Sequence, residues 1–301
     1  MSKRKKNSSI LSIIGIFILA ILVISNETNF TLSDIIPSFE EKVILDTTDN
    51  LEIYYLDVGQ ADSILIRNNE KNVLIDAGNN ADGQMLVKYF NSLGINDFEY
   101  VIGTHAHEDH IGGMDDIIEN FQIKNFFMPD VVTTTKTFEE VLDALEGKNI
   151  AFDTPEIDEK FTVSDMHFEV LYLNSDEDDL NSNSIMLMLK YGKKRFLFTG
   201  DAEESSEKEI LYKDIKADVL KVGHHGSSTS SSYSFLDRVK PEYAIIQVGE
   251  GNSYKHPHDE TLKRFKKMNT TVYRTDLHGT ILIKSDGQTI NIETIDTNTN
   301  G

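Results

Sequence analysis

The chain has 301 residues, 39% of them hydrophobic, and a formal net charge of −21 with nine histidines. That length and apolar share suffice for a full core, and the absence of cysteine excludes disulfides, thiolate metal ligands, a cysteine nucleophile and a lipid-modified cysteine. Leaving out residues 1–30, which hold four basic residues and Glu27, leaves 25 basic against 49 acidic, or −24; a surface of that sign repels polyphosphate backbones at long range and lowers the expectation of tight non-specific nucleic-acid binding, although a local cation site can override it.

In chain order, Lys3, Arg4, Lys5 and Lys6 precede an uncharged apolar run from Ile10 to Ile24. At about 1.5 Å per residue the run spans roughly 22 Å, short of a ~30 Å hydrocarbon core, so it suits a signal segment or a short anchor in the cytoplasmic membrane. No Ala-x-Ala cleavage site follows it, which favours an uncleaved single-pass anchor with the basic end in the cytoplasm and the rest outside; secretion after cleavage is the alternative. Residues 1–30 are therefore expected to be an anchor or signal segment, 31–48 a polar linker, 49–293 one domain and 294–301 a polar tail.

Within that domain, Leu51 to Val58, Ser63 to Arg67 and Lys71 to Ile75 read as strands rich in Ile, Leu, Val and Tyr. Asp82 to Leu93 has helical spacing closed by Gly94. Tyr100 to Gly103 is strand-like and Met114 to Phe121 helical. Strands are expected again at Ile123 to Met128, His167 to Leu173, Ser184 to Tyr191, Arg195 to Thr199, Asp218 to Val222, Tyr243 to Val248, Thr271 to Arg274, Thr280 to Lys284 and Thr289 to Glu293. Helices are expected near Phe138 to Leu145, Glu203 to Tyr212 and His258 to Lys267. The alternation predicts two sheets face to face with helices outside, a four-layer αββα arrangement of the α/β class. The serine tract from Ser227 to Ser234 is expected to be a mobile loop.

Four stretches carry chemistry. Thr104-His105-Ala106-His107-Glu108-Asp109-His110-Ile111-Gly112-Gly113 sets three imidazoles and two carboxylates in six residues after an apolar strand. Imidazole and carboxylate suit Zn²⁺ and its neighbours, and His105 and His107 can reach one ion while Asp109 and His110 turn toward a second. Phe198-Thr199-Gly200-Asp201 ends a strand in a carboxylate able to bridge two cations. In Gly223-His224-His225-Gly226 one imidazole can ligate while the other hydrogen-bonds or moves protons. Asp76, in Ile75-Asp76-Ala77-Gly78, can orient a ligand imidazole from behind.

These motifs, together with Tyr55-Leu56-Asp57-Val58-Gly59-Gln60-Ala61-Asp62-Ser63, Asn183-Ser184 and Tyr254-Lys255-His256-Pro257-His258, resemble the metallo-β-lactamase superfamily over Leu51 to Glu293. Within it they resemble the branch of ComEC-type competence proteins and phosphorylcholine esterase, in that branch's order. The resemblance implies that His105 and His107 hold one metal, Asp109 and His110 the second, that Asp201 bridges, and that His225, preferred to His224, completes the second site. The wider superfamily supplies a further His to the first metal; here His167 comes too early and is expected to be a sheet residue, while Asn181, Asn183 and Ser184 occupy the place, as a similar Asn-Ser element does in the branch. Asn183 and His258 are candidates for substrate binding, His224 and His256 for proton transfer, and Asp57, Asp62 and Asp76 for support of the ligands. His278 is expected to be a turn residue.

Two divalent ions, Zn²⁺ with Mn²⁺ as the alternative, would supply hydroxide at neutral pH, with Asp109 or Asp201 accepting its proton. Phosphodiesters lead among the substrates the resemblance implies, nucleic acid competing with choline-phosphate esters; β-lactams come third. A DNA-uptake assembly is the partner it implies. The alternative function is a non-catalytic, membrane-tethered accessory or binding module for DNA uptake.

Overall fold

Residues 50–176 and 178–295 are described by the structure, a computed structural model of the chain. Apolar residues at alternate positions make strands that bury both faces. In β1 (Leu51–Tyr55), Ile53 and Tyr55 point one way and Tyr54 the other; in β3 (Lys71–Ala77), Val73 and Ile75 oppose Leu74; in β10 (Lys194–Phe198), Phe196 and Phe198 oppose Leu197. Two buried faces per strand mean that each sheet is covered on both sides.

The remaining strands are β2 (Ser63–Asn68), β4 (Asp97–Ile102), β5 (Gln122–Phe127), β6 (Phe152–Asp153), β7 (Lys160–Val163), β8 (Met166–Tyr172), β9 (Met186–Tyr191), β11 (Val219–Lys221), β12 (Tyr243–Ile246), β13 (Thr271–Arg274), β14 (Thr280–Ser285) and β15 (Ile290–Ile295). One sheet has the order β15-β14-β1-β2-β3-β4-β5-β6 and the other β13-β12-β11-β10-β9-β8-β7. Three apolar layers result. The middle one joins the sheets through residues such as Ile53, Ile75, Phe168, Phe198 and Val219. An outer layer packs α1 (Gly83–Ser92), α2 (Glu108–Ile111), α3 (Met114–Asn120) and α4 (Lys136–Lys148) on the first sheet, with Phe90, Phe98 and Phe121 meeting edge to face at 5.3–6.1 Å. The third sets α5 (Glu204–Glu209), α6 (Tyr233–Val239) and α7 (Asp259–Met268) beside the second sheet, around Phe235, Leu236 and Phe265. Burying each such side chain contributes about 1.5–3 kcal/mol. The architecture is the expected four-layer α/β sandwich.

Both sheets contain a parallel block, β3 to β6 in one and β10 to β13 in the other. Parallel strands end on the same edge, so the loops after β3, β4, β10, β11 and β12 gather at one rim, where ligands of open α/β sheets characteristically bind.

Several elements differ from the sequence reading. Strands β6 and β7 and helix α6 were not expected. The four residues of β7 alternate between exposed and buried, too short a pattern to stand out. The serine tract is packed rather than mobile: Ser230 and Ser231 are fully buried, the Glu207 carboxylate accepts the Ser231 and Ser232 N–H groups, and Arg264 donates to the carbonyls of Ser228, Ser230 and Ser231. Ser232 then caps α6 by accepting from the Phe235 N–H. The last strand continues to Ile295, two residues past the expected domain end. The apolar run at residues 10–24 lies outside the described residues, among which no helix is long and apolar enough to cross a membrane.

Gly112 shows how tightly the rim is built. A Cβ there would lie 2.2 Å from the backbone nitrogen of Asn80 and 2.3 Å from the carbonyl carbon of Asn79, because α2 docks on the loop after β3 through a bond from Gly112 N–H to Gly78 O of 2.9 Å. Gly112→Ala should therefore cost about 1–3 kcal/mol, read as a lower urea midpoint at unchanged slope; an unchanged midpoint would show that this approach is not tight.

Candidate metal centre

Each histidine of the cluster is fixed from behind. Asp76, in a left-handed conformation at φ 59°, accepts from the Thr104 N–H and hydroxyl, both at 2.8 Å, and from His110 Nδ1 at 2.8 Å. Its neighbour Thr104 has spent its proton on Asp76, so its lone pair faces His105 Nδ1 at 3.2 Å. His225 Nδ1 donates to the carbonyl of Gln247 at 2.9 Å. With Nδ1 of all three occupied as a donor, the Nε2 atoms of His105, His110 and His225 are left to point inward, the arrangement in which ligating histidines are held.

What they point at is a set of donors at ligand spacing. His105 Nε2 faces His107 Nδ1 at 3.0 Å, His110 Nε2 faces Asp201 Oδ1 at 3.3 Å, and His225 Nε2 faces Asp109 Oδ2 at 3.2 Å and Asp201 Oδ2 at 3.5 Å. Two atoms each about 2.1 Å from one ion stand roughly 3.0–3.4 Å apart at octahedral to tetrahedral angles. Asp109, His110, Asp201 and His225 each offer an atom within 4.8 Å of the others. Moreover, His110 Nε2 and Asp201 Oδ1 are buried without a hydrogen-bond partner, an arrangement that costs energy unless a cation satisfies both. The residues present fit a divalent centre.

Charge agrees. Asp62, Asp76, Asp109 and Asp201 crowd the rim, and Lys221, fully buried, meets Asp62 at 2.5 Å. Burial opposes charge on all four carboxylates, yet the histidines hold Asp201 well below the usual carboxylate range and Asp109 at about 2. Conversely, the carboxylates overcome burial to push His110 well up and His225 to about 10. His105 is pushed well down by burial and His107 down, also by burial. The His105–His107 side thus favours neutral imidazole and the Asp109–His225 side positive charge.

The loop after β11 is strained to do this. His224 and His225 are consecutive left-handed residues, at φ 50° and 49°, which costs roughly 1–2 kcal/mol each. The turn persists because His224 N–H reaches Gly200 O, Ser227 N–H reaches His224 O, and Gln247 takes His225. Gln247 also donates its amide to the carbonyls of Leu56 and Ser63, tying the second sheet to the first at the site. Opposite, Gly200, at φ 48°, lets the Asp201 turn approach; a Cβ there would lie 3.0 Å from Thr104 Oγ1 and 3.1 Å from Ser184 Cβ.

Asp109, Asp201, His107, His224, His225 and His256 open onto one cavity of about 500 Å³, also lined by Gln60, Asn79, Glu108, Asn181 and Tyr254. Two expected substrate-binding residues are used otherwise. Asn183 is buried with its amide closed on the backbone of Asp176, accepting at 2.6 Å and donating at 2.7 Å; Asn181 is the amide that lines the cavity. His258 bonds with both ring nitrogens inside the protein, accepting from Ser228 N–H at 2.9 Å and donating to Tyr254 O at 3.2 Å. Asp57 accepts from the Gly59 N–H and shapes the loop bearing Gln60, whereas Asp62 lies 3.4 Å from His225 Nδ1 and 3.9 Å from His110 Nδ1. His167 is an exposed residue of β8, and His278 ends the short helix Thr275–His278. Glu203, which the sequence reading did not single out, meets His224 Nδ1 at 3.0 Å; its place two residues after Asp201 was the available signal.

A family model described as the metallo-beta-lactamase superfamily matches residues 56–250. ComE operon protein 3 of Bacillus subtilis is 31% identical over 251 residues, 76% of this chain and 32% of that protein. Recombination protein 2 of Haemophilus influenzae is 31% identical over 76% of this chain and 28% of its own length, and competence protein ComA of Neisseria gonorrhoeae 30% identical over 75% and 31%. The chain spans about a third of the length of these curated relatives. Among solved structures, YhfI of Bacillus subtilis, a metallo-β-lactamase fold protein, has a TM-score of 0.53 at 11% identity, covering 81% of this chain and 100% of that one. CmlA, a diiron β-hydroxylase of Streptomyces venezuelae, has a TM-score of 0.53 at 12% identity, covering 81% and 54%. These two likenesses concern the fold alone. With the family match and the competence relatives agreeing, the chain belongs to the metallo-β-lactamase superfamily, in its ComEC-like branch.

Proposed function

We propose that the chain is a metal-dependent phosphodiesterase. The supporting observation is the convergence of histidine nitrogens and carboxylate oxygens at 3.0–3.5 Å along and directly beneath the lining of one open cavity. In this reading His105 and His107 would hold one divalent cation and Asp109, His110 and His225 a second, with Asp201 as a ligand available to either; Zn²⁺ is favoured by the imidazole-rich set, with Mn²⁺ as the alternative. When bound, such a pair stabilises the charge that develops on a reacting phosphoryl group.

The protein's own residues supply the rest. Asp109, ionised and partly open to the cavity, receives His225 and can take a proton from an attacking water. His224 is held at Nδ1 by Glu203 with Nε2 3.8 Å from Asp201; in this reading it gives a proton to the leaving oxygen. His256 stays neutral, its pKa lowered to about 4 by burial and by the neighbouring His224 and His225. The Asn181 Oδ1, buried and without a partner, is available to a donor on the substrate. Relatives named for competence and recombination support nucleic acid as the phosphodiester and a DNA-uptake assembly as the partner.

Asp109→Ala should reduce turnover of a chromogenic phosphodiester by at least ~100-fold, since one residue both completes the cation site and orients the attack, while the far-ultraviolet dichroism stays native because the sheets, not Asp109, bury the core. Wild-type chain that cleaves no phosphodiester with Zn²⁺ or Mn²⁺, while binding DNA equally with and without Asp109, would establish the non-catalytic module instead.

We also propose that the domain is exported and tethered through residues 10–24, on the basic-then-apolar order of Lys3–Lys6 and Ile10–Ile24. Protease added to intact cells lacking an outer barrier should degrade the domain; full protection would overturn the tether.

A further inference from the structure

From the cluster a row of rings leads outward. His256 lies against His225, ring centroids 6.4 Å apart with planes inclined by 24°, and Tyr254 lies against His256 at 5.7 Å and again 24°. Tyr254, the outermost of the row, is 65% exposed. Its backbone is anything but loose. His258 Nε2 donates to the Tyr254 carbonyl, Asn252 donates to the carbonyls of Gly249 and His256 and accepts the His256 N–H at 2.9 Å, and Lys255 beside it holds a left-handed φ of 62°. One face of the Tyr254 ring is therefore occupied by the His256 imidazole, and the tyrosine stands on a braced loop at the mouth of the reactive cavity.

We infer that Tyr254, backed by His256, is a stacking platform for one nucleobase of a single-stranded nucleic acid, beside the phosphodiester to be cleaved. This rests on the phosphodiesterase reading and names its substrate class. A planar heterocycle extends the row by one step, at the 4.5–7 Å spacing of ring pairs, and stacking on an exposed aromatic face is indifferent to which base is presented. Duplex DNA fits less well, since its bases are already stacked on one another, and the net charge of −21 gives a polyphosphate backbone no long-range attraction. Stacking supplies affinity that charge does not. A quaternary ammonium fits less well than a base, because such heads are held in cages of several aromatic faces, and among the described residues lining the cavity Tyr254 is the one tyrosine, with no phenylalanine or tryptophan. Cavity amides of Gln60, Asn79 and Asn181, each donor and acceptor, can meet the base edge.

The test uses the full chain with Mn²⁺ and single-stranded oligonucleotides carrying one abasic residue at successive positions around the cleaved bond. At one flanking position the abasic substitution should raise KM on the order of 10-fold. This discrimination should fall toward unity in Tyr254→Ala and return in Tyr254→Phe, which keeps the ring and loses only the hydroxyl. Equal KM for intact and abasic strands at every position, or discrimination retained in Tyr254→Ala, overturns the platform. Cleavage of p-nitrophenyl phosphorylcholine without cleavage of any oligonucleotide overturns it too, and leaves the phosphodiesterase reading standing. If nothing is cleaved, that reading falls, and fluorescence anisotropy with the same strands decides the platform alone: preference for the intact strand that disappears in Tyr254→Ala upholds it, and equal affinity rejects it.

Discussion

Four carboxylates, Asp62, Asp76, Asp109 and Asp201, converge on a rim where one lysine, Lys221, is buried with them. Negative charge removed from water is costly unless compensated, and here the compensation comes from Lys221 and from the His110 and His225 rings, which the carboxylates push toward the charged form and whose Nε2 atoms a divalent cation would take over. Everything near the rim follows from this. Asp76 spends its oxygens on Thr104 and His110, Asp62 stands between His110, His225 and Lys221, and the two carboxylates left, Asp109 and Asp201, face the histidines from the cavity side.

The fold makes that concentration affordable. Two parallel blocks, one per sheet, deliver five loops to one edge, so groups far apart in sequence meet without any long excursion of the chain. The apolar layers keep the strand ends rigid, and rigidity is what allows His224 and His225 to hold consecutive left-handed conformations. Gln247 joins the halves by donating to Leu56 and Ser63 while its carbonyl fixes the His225 ring. One residue thus bridges the two sheets at the site and sets the tautomer of His225.

The strands and most helices were legible because they are long enough for their apolar period to stand out, and the ligand clusters because imidazole and carboxylate rarely gather so densely without a shared task. Local composition misled where a tertiary partner supplies what the segment lacks. The serine tract resembles a flexible linker, yet Glu207 and Arg264, distant in sequence, satisfy its backbone and bury it. Asn181 and Asn183 are indistinguishable as residue types; which one faces the cavity depends on the Leu180–Asn183 helical turn, where Asn183 closes on Asp176. His258 reads as a substrate-binding residue by type, but its ring is consumed in joining Ser228 to Tyr254. Glu203 gave no sign beyond its spacing, since an acidic residue before a helix is ordinary.

The most direct measurement is the anomalous diffraction of crystals of the chain grown with Mn²⁺, recorded at the manganese edge. Two peaks are expected about 3.5–4 Å apart, one beside His105 and His107 and one among Asp109, His110 and His225, with Asp201 between them. A map without ordered peaks at the cluster, or with ions bound only elsewhere on the acidic surface, would contradict a two-cation centre.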